Sequence, residues 1–257
     1  CLNIYLLVLL QILSGIIVYV ILSKLLKIES FEYLLNMINS GFEIWRKNNP
    51  TLSWKDFKFG INDITTVAPI FDNIKLNDIS KNVIALKSGK DLYDAWLKWA
   101  KEYDSEFAKV LENDKDKYIA LCAMDRDGTP KPRKDIYCYE QMKENFNYIF
   151  NKPTNFDLDE EDKDKANEFL AAYAKVYKPA QSNEEWFANV KELAGSLGYA
   201  TDNKLYKANP EAYKGNVAKA CEFIRVAITG SKISPTLFSV MNILGEEEVK
   251  ERLNHKF

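Results

Sequence analysis

Apolar residues recur along most of this chain at intervals of three and four, the period of a helix that buries one face. In FEYLLNMINSGFEIWRKNN, Phe31, Leu34, Leu35, Ile38, Phe42 and Trp45 fall on one stripe, and Asn48-Asn49-Pro50 ends it. In DLYDAWLKWAKEYDSEFAKVLEND, Leu92, Trp96, Trp99 and Tyr103 follow the same period, with lysines and acids on the other face. Trp96, Trp99 and Trp186 are expected in the core by this spacing rather than as stacking platforms. The stretch KDKYIALCAMDRDGTPKPRKDIYCYEQMKENFNYIF predicts a helix, a turn at Asp127 to Pro132, and a second helix from Asp135. A further helix is predicted over Glu160 to Val176, its early acids facing the positive end of its dipole. After a loop at Lys178 to Asn183, EEWFANVKELAGSLG predicts a helix that Gly198 ends.

The last part of the chain is the most punctuated. In YKGNVAKACEFIRVAITG, Val217, Cys221, Ile224 and Ile228 form a buried seam, and Arg225 lies about 100° around from Ile224, at the border of the core. Gly230 is expected to stop that helix; Ser234 then offers an N-cap oxygen and Pro235 a first-turn residue to LFSVMNIL, which faces Leu237, Met241 and Leu244 inward. Gly245 closes that helix, and Glu246 to Glu248 open a last one that buries Val249 and Leu253.

Three stretches break the helical period. The first, CLNIYLLVLLQILSGIIVYVILS, is uncharged from Cys1 to Ser23. As one helix it would be about 34 Å long, enough to cross a bilayer core. Split near Ser14-Gly15, it is instead a buried helix and a buried strand-like run; a start without Met also fits truncation or a frame error. It lacks the basic leader of a signal peptide. The second, SWKDFKFGINDITTVAPIFDNIKLNDISKNVIAL, predicts loops around a short strand and a helix near Asp78. The third, KPTNFDLDEEDKD, is acidic and Pro-containing and marks a domain boundary. The expected fold is therefore mainly α. It comprises an apolar segment (1–27), a mixed junction region (28–80) and two consecutive helical, bundle-like domains (81–154 and 155–257).

Net charge narrows the partner. With 257 residues and a formal charge of −2, any nucleic-acid contact must come from a local basic patch. Arg126, Lys131, Arg133 and Lys134 form the densest basic cluster, which by itself also fits a solvated loop. Cys1, Cys122, Cys138 and Cys221 are widely spaced with no C-x-x-C pair, so reduced thiols in a cytoplasmic protein are expected, with no zinc knuckle or disulfide framework. The single histidine, His255, excludes a metal site built from two histidines and argues against a Ser-His dyad. No catalytic or metal-binding group is expected.

Several ordered motifs then point one way. R-V-A-I-T-G-x-x-x-S-P-x-L-x-x-x-M-x-x-L-G-x-E-x-V-x-x-R-L, from Arg225 to Leu253, resembles the C-terminal anticodon-binding end of bacterial glutamyl-tRNA synthetases. The likeness continues in W-F-x-x-V-K-x-L-A at Trp186 to Ala194, Y-K-x-N-x-x-x-Y-K-G at Tyr206 to Gly215, W-A-K-E-Y-D at Trp99 to Asp104 and P-R-K-D at Pro132 to Asp135. K-L-N-D-I-S-K at Lys75 to Lys81 and residues 31 to 50 extend it to nearly everything after Glu29.

The resemblance implies a class I aminoacyl-tRNA synthetase, which uses ATP and Mg²⁺ to attach glutamate to its tRNA. It makes residues 28–80 a remnant of the stem-contact region and the two helical domains anticodon-binding domains. Two family signatures are missing. An H-x-G-H motif needs a second histidine, and the K-M-S-K-S position, expected between Phe59 and Phe71, reads Asp63-Ile64-Thr65-Thr66-Val67 without a lysine. Thr and Val cannot stabilise a departing pyrophosphate. The expectation is a tRNA-binding part of such a synthetase, with the catalytic half missing and no cofactor of its own. The alternative is a stand-alone tRNA- or protein-binding module derived from one, at a membrane if residues 1 to 23 span it.

RNA recognition uses Lys and Arg on phosphates and stacking or edge contacts on unpaired bases. The resemblance thus implies one contact surface from Arg126, Lys131, Arg133 and Lys134 and another from Arg225, Lys232 and Arg252. A capping or ion-pair role at the core edge stands beside the base contact for Arg225.

Overall fold

The computed structural model describes residues 10, 11, 14, 31–60, 64 and 71–257. The expectations for residues 1–23 and for the loop at 63–67 lie, apart from those isolated positions, outside the described residues. Among the described residues the chain is mainly α: fourteen α-helices, short 3-10 turns, and no strand beyond an isolated bridge between Ala200 and Asn216. None of these helices is long and apolar enough to cross a membrane.

The stripe beginning at Phe31 forms two helices instead of one, α1 (Phe31–Ile38) and α2 (Ser40–Asn48). Asn39 makes the break: its Oδ1 accepts the Gly41 and Phe42 N–H groups at 2.8 and 3.2 Å, a cap that starts a new helix. The apolar face survives, with Tyr33, Leu34, Leu35 and Phe42 buried and Trp45 and Phe57 packed on Phe42. Arg46 reaches back to Glu32 at 2.5 Å; burial pushes the Glu32 carboxyl up, although Arg46 pulls it down. The next helix, α3 (Asn73–Ala85), begins before the expected Asp78 because Asp72 caps it, with Oδ1 2.8 Å from the Ile74 N–H. The Tyr33 hydroxyl accepts the Asp72 N–H at 2.7 Å, which ties α3 to α1.

The long pattern ending at Asp114 is cut into α4 (Gly89–Tyr103) and α5 (Ser105–Asn113), and the helix expected after it is α6 (Lys115–Ala123). Asp104 makes the cut and Asp114 starts α6, since each accepts a backbone N–H of the helix it starts, from Phe107 at 3.1 Å and Lys117 at 3.2 Å. Leu92, Tyr93, Trp96 and Ala100 fill the core, whereas Trp99 and Tyr103 pack on each other at its rim. The helix expected from Asp135 begins only at Glu140 as α7 (Glu140–Asn145), followed by α8 (Asn147–Phe150). Residues 133–139 stay irregular because side chains claim their carbonyls, Ser80 that of Tyr137 at 2.6 Å and Asn145 that of Asp135 at 3.2 Å.

Beyond the acidic linker come α9 (Lys163–Val176), α10 (Asn183–Ser196), α11 (Asn203–Ala208), α12 (Val217–Thr229), α13 (Leu237–Leu244) and α14 (Glu246–Leu253). The central member is α12, whose Phe223, Ile224, Val226, Ala227 and Ile228 are buried against α9, α10 and α14. Cys221, expected in its seam, lies half-buried at the edge. Gly230 ends α12 at φ 78, and a Cβ there would lie 2.7 Å from the Asn155 carbonyl oxygen, so the turn is pressed onto the linker. Thr236, not Ser234, immediately precedes α13. One cluster of buried side chains runs from Ile84 to Leu253.

Candidate functional site

The turn after α6 is built from Asp125, Arg126 and Asp127, and each side chain goes to a different part of the molecule. Asp127 receives the Gly89 N–H at 2.9 Å and so caps α4. Gly89 has to be small: a Cβ would meet Ala123 at 2.5 Å. Arg126 points inward, donating to the carbonyls of Cys122, Ile84 and Arg133 at 3.2, 3.4 and 3.1 Å. Only 4% of Arg126 is exposed, and desolvation lowers its affinity for the proton. Asp125 adopts φ 54, the only non-glycine among the described residues with positive φ, a conformation that costs roughly 1–2 kcal/mol. Its carboxylate accepts the Thr236 N–H at 2.8 Å and the Thr236 hydroxyl at 2.6 Å.

These bonds frame a cleft of about 680 Å³. It is lined by Arg133, Asp135, Phe146 and Tyr148 and, from much later in the chain, by Arg225 and the Ser234-Pro235-Thr236 segment. The Arg133 guanidinium lies over the Phe146 ring at 4.8 Å, with its Nε 2.9 Å from Asp135 Oδ2. Arg225 Nε donates to Ser234 Oγ at 3.1 Å. Arg133 Nη1 and the Tyr148 hydroxyl are buried polar atoms without a hydrogen-bond partner among the described residues. Burial also raises the Tyr148 phenol well above its ordinary range, so it presents a donor proton. The cleft thus brings two planar guanidinium groups to one lining, which suits a flat polar ligand such as an unstacked base.

The seven expected contact residues separate into groups. Lys131 and Lys134 are exposed near the cleft and carry no ion pair among the described residues. Arg133 and Arg225 both line the cleft. Lys232 is held by Asp159 at 2.9 Å, which raises its proton affinity. Arg126 and Arg252 correct the expectation of surface contacts, because neither guanidinium reaches the surface. Only 6% of Arg252 is exposed; it donates to the carbonyls of Tyr148 at 2.8 Å and Ile228 at 2.6 Å, and to Glu248 at 2.7 Å. Ser234, expected to cap α13, instead receives Arg225.

Asp125, Asp135, Phe146, Tyr148 and Thr236 escaped the sequence reading. The signals were faint: an acid on either side of Arg126, and a threonine directly after Ser234-Pro235. Cys122, buried beside Arg126, has its thiol pushed up to about 12 by desolvation, which leaves it protonated at neutral pH. Among the described residues no three His, Cys, Asp or Glu side chains converge as a metal site would require.

Residues 91–257 match the family described as "Anticodon binding domain". A glutamate–tRNA ligase of Acetivibrio thermocellus is 40% identical over 230 residues, covering 86% of this chain and 41% of the relative. One of Clostridium perfringens strain 13 is 38% identical over 229 residues, covering 86% of this chain and 42% of the relative. The chain therefore spans about two fifths of the length of these relatives. In structure it is similar to the glutamate–tRNA synthetase of Elizabethkingia anophelis, with a TM-score of 0.52 at 17% identity over 77% of this chain and 34% of that one, a likeness of fold.

Proposed function

This chain belongs to the anticodon-binding-domain family, as the anticodon-binding portion of a glutamate–tRNA ligase, and from that premise we propose that it binds the tRNA for glutamate without itself catalysing aminoacylation. The ligase's ATP and Mg²⁺ chemistry then belongs to a catalytic half with which this chain works. The two helical units, 81–154 and 155–257, meet at the cleft that takes the anticodon.

The carrying observation is the cleft, which Arg133, Arg225 and Tyr148 line together, with Lys131 and Lys134 exposed on the same chain segment as Arg133. The two exposed lysines supply sequence-blind attraction to phosphates. The two arginines, each held in plane by a partner, supply contacts to base edges or faces. Arg126 and Arg252 contribute from inside, by fixing the walls.

The test is tRNA binding by the purified chain over a range of salt concentrations. Arg225→Lys, which keeps the charge but loses the planar fork, is expected to weaken binding on the order of tenfold with little change in salt slope. Lys134→Ala is expected to reduce that slope by about one. Binding that is absent, or indifferent to salt, overturns the proposal, and pyrophosphate exchange with glutamate and ATP by the chain alone overturns its non-catalytic part.

A further inference from the structure

Asp125 is bonded to both walls of the cleft. Its carbonyl oxygen accepts the Arg133 N–H at 3.0 Å, and its carboxylate takes both the N–H and the hydroxyl of Thr236. Thr236 stands where α13 begins and follows Ser234-Pro235, whose serine holds Arg225. A single residue therefore spans the path from Arg133 to Arg225. Thr236 makes no side-chain cap of its own to α13, so the Asp125 carboxylate is the anion at that helix's positive end.

We propose that Asp125 is a positioning residue for RNA recognition, a cross-unit clamp that holds the Arg133 and Arg225 walls at the spacing a base requires; this rests on the RNA-binding reading above. The left-handed backbone at Asp125 aims the carboxylate at Thr236 while turning its carbonyl toward Arg133. Few residue types other than glycine, asparagine and aspartate adopt that conformation, and glycine brings no acceptor. Asparagine can replace both bonds, its oxygen taking the N–H and its amide donating to the rotated Thr236 hydroxyl.

The sign of the effect separates this role from simple charge. A carboxylate beside an RNA site repels phosphates, so its removal would tighten binding if repulsion were all it did. A clamp predicts the reverse. Glycine also accepts φ 54 without strain, so Asp125→Gly removes the carboxylate and leaves the backbone at ease.

The experiment uses the full chain and the tRNA for glutamate, with amide hydrogen exchange at Thr236 as a second readout. Asp125→Gly is expected to bind about tenfold more weakly at unchanged salt slope, and Asp125→Asn to stay within about threefold of wild type. Exchange at the Thr236 amide is expected to speed up in the glycine variant and to stay slow in the asparagine one. Equal or tighter binding by Asp125→Gly, or undiminished Thr236 protection in it, overturns the inference while leaving RNA binding intact. A wild-type chain that does not bind tRNA overturns the function, and with it this role. Thr236→Val removes the hydroxyl bond alone and is expected to weaken binding in the same direction, so it carries the comparison if Asp125→Gly does not fold.

Discussion

Arg126 and Arg252 carry their charge into the interior, where backbone carbonyls receive it. Removing such a group leaves buried acceptors unpaired, at about 1–3 kcal/mol each, so an inward arginine acts on stability before it acts on a ligand. Arg126→Met is expected to lower unfolding stability by about 3 kcal/mol, read from urea denaturation, whereas Lys131→Ala on the same turn changes it by less than about 0.5 kcal/mol. Equal losses would mean that Arg126 is a surface residue. Sequence alone does not separate these two cations. Composition marks a basic cluster, but which members turn inward depends on carbonyls contributed by α3 and α6. Arg225 was more legible: its offset from Ile224 put it at the edge of the core, where it lines the cleft.

At the scale of elements, helix ends decide more than helix stripes. Asn39 and Asp104 each sit inside an apolar pattern that reads as continuous, and each begins a new helix by accepting backbone N–H groups. The stripes predict which faces are buried, and Leu92, Trp96, Phe42 and Ile224 are buried as expected. They do not predict where the axis bends, because a cap and a mid-helix acid look alike until a neighbouring element rewards the bend. The start of α4 shows such a constraint, since Asp127 caps it and Ala123 packs against Gly89. Gly89→Ala gains intrinsic helix propensity yet is expected to destabilise by about 1–3 kcal/mol through the forced shift of α6, measurable as a lower denaturation midpoint. A raised midpoint would show that the two helices separate easily.

At the scale of the whole molecule, one cluster of buried side chains among the described residues runs from Ile84 to Leu253. Arg252 adds a polar weld, joining the Tyr148 carbonyl to that of Ile228. Hydrogen exchange of the slowest amides in α4 and α12 is therefore expected to report one shared opening free energy, as a cooperative unit does; two distinct values would show the halves opening independently. The sequence by itself determined the helical class, the buried faces and the family, because periodicity, glycine stops and ordered motifs are local properties of the chain. It also placed Arg133 and Arg225 among the candidates. Only the tertiary structure decided that these two line one cleft, that Arg126 and Arg252 belong to the interior, and that Asp125 is bonded to both Arg133 and Thr236. Those outcomes depend on hydrogen bonds between residues far apart in sequence, such as Asp125 with Thr236 and Arg252 with Tyr148, and no local pattern records which distant carbonyl or hydroxyl a side chain will meet.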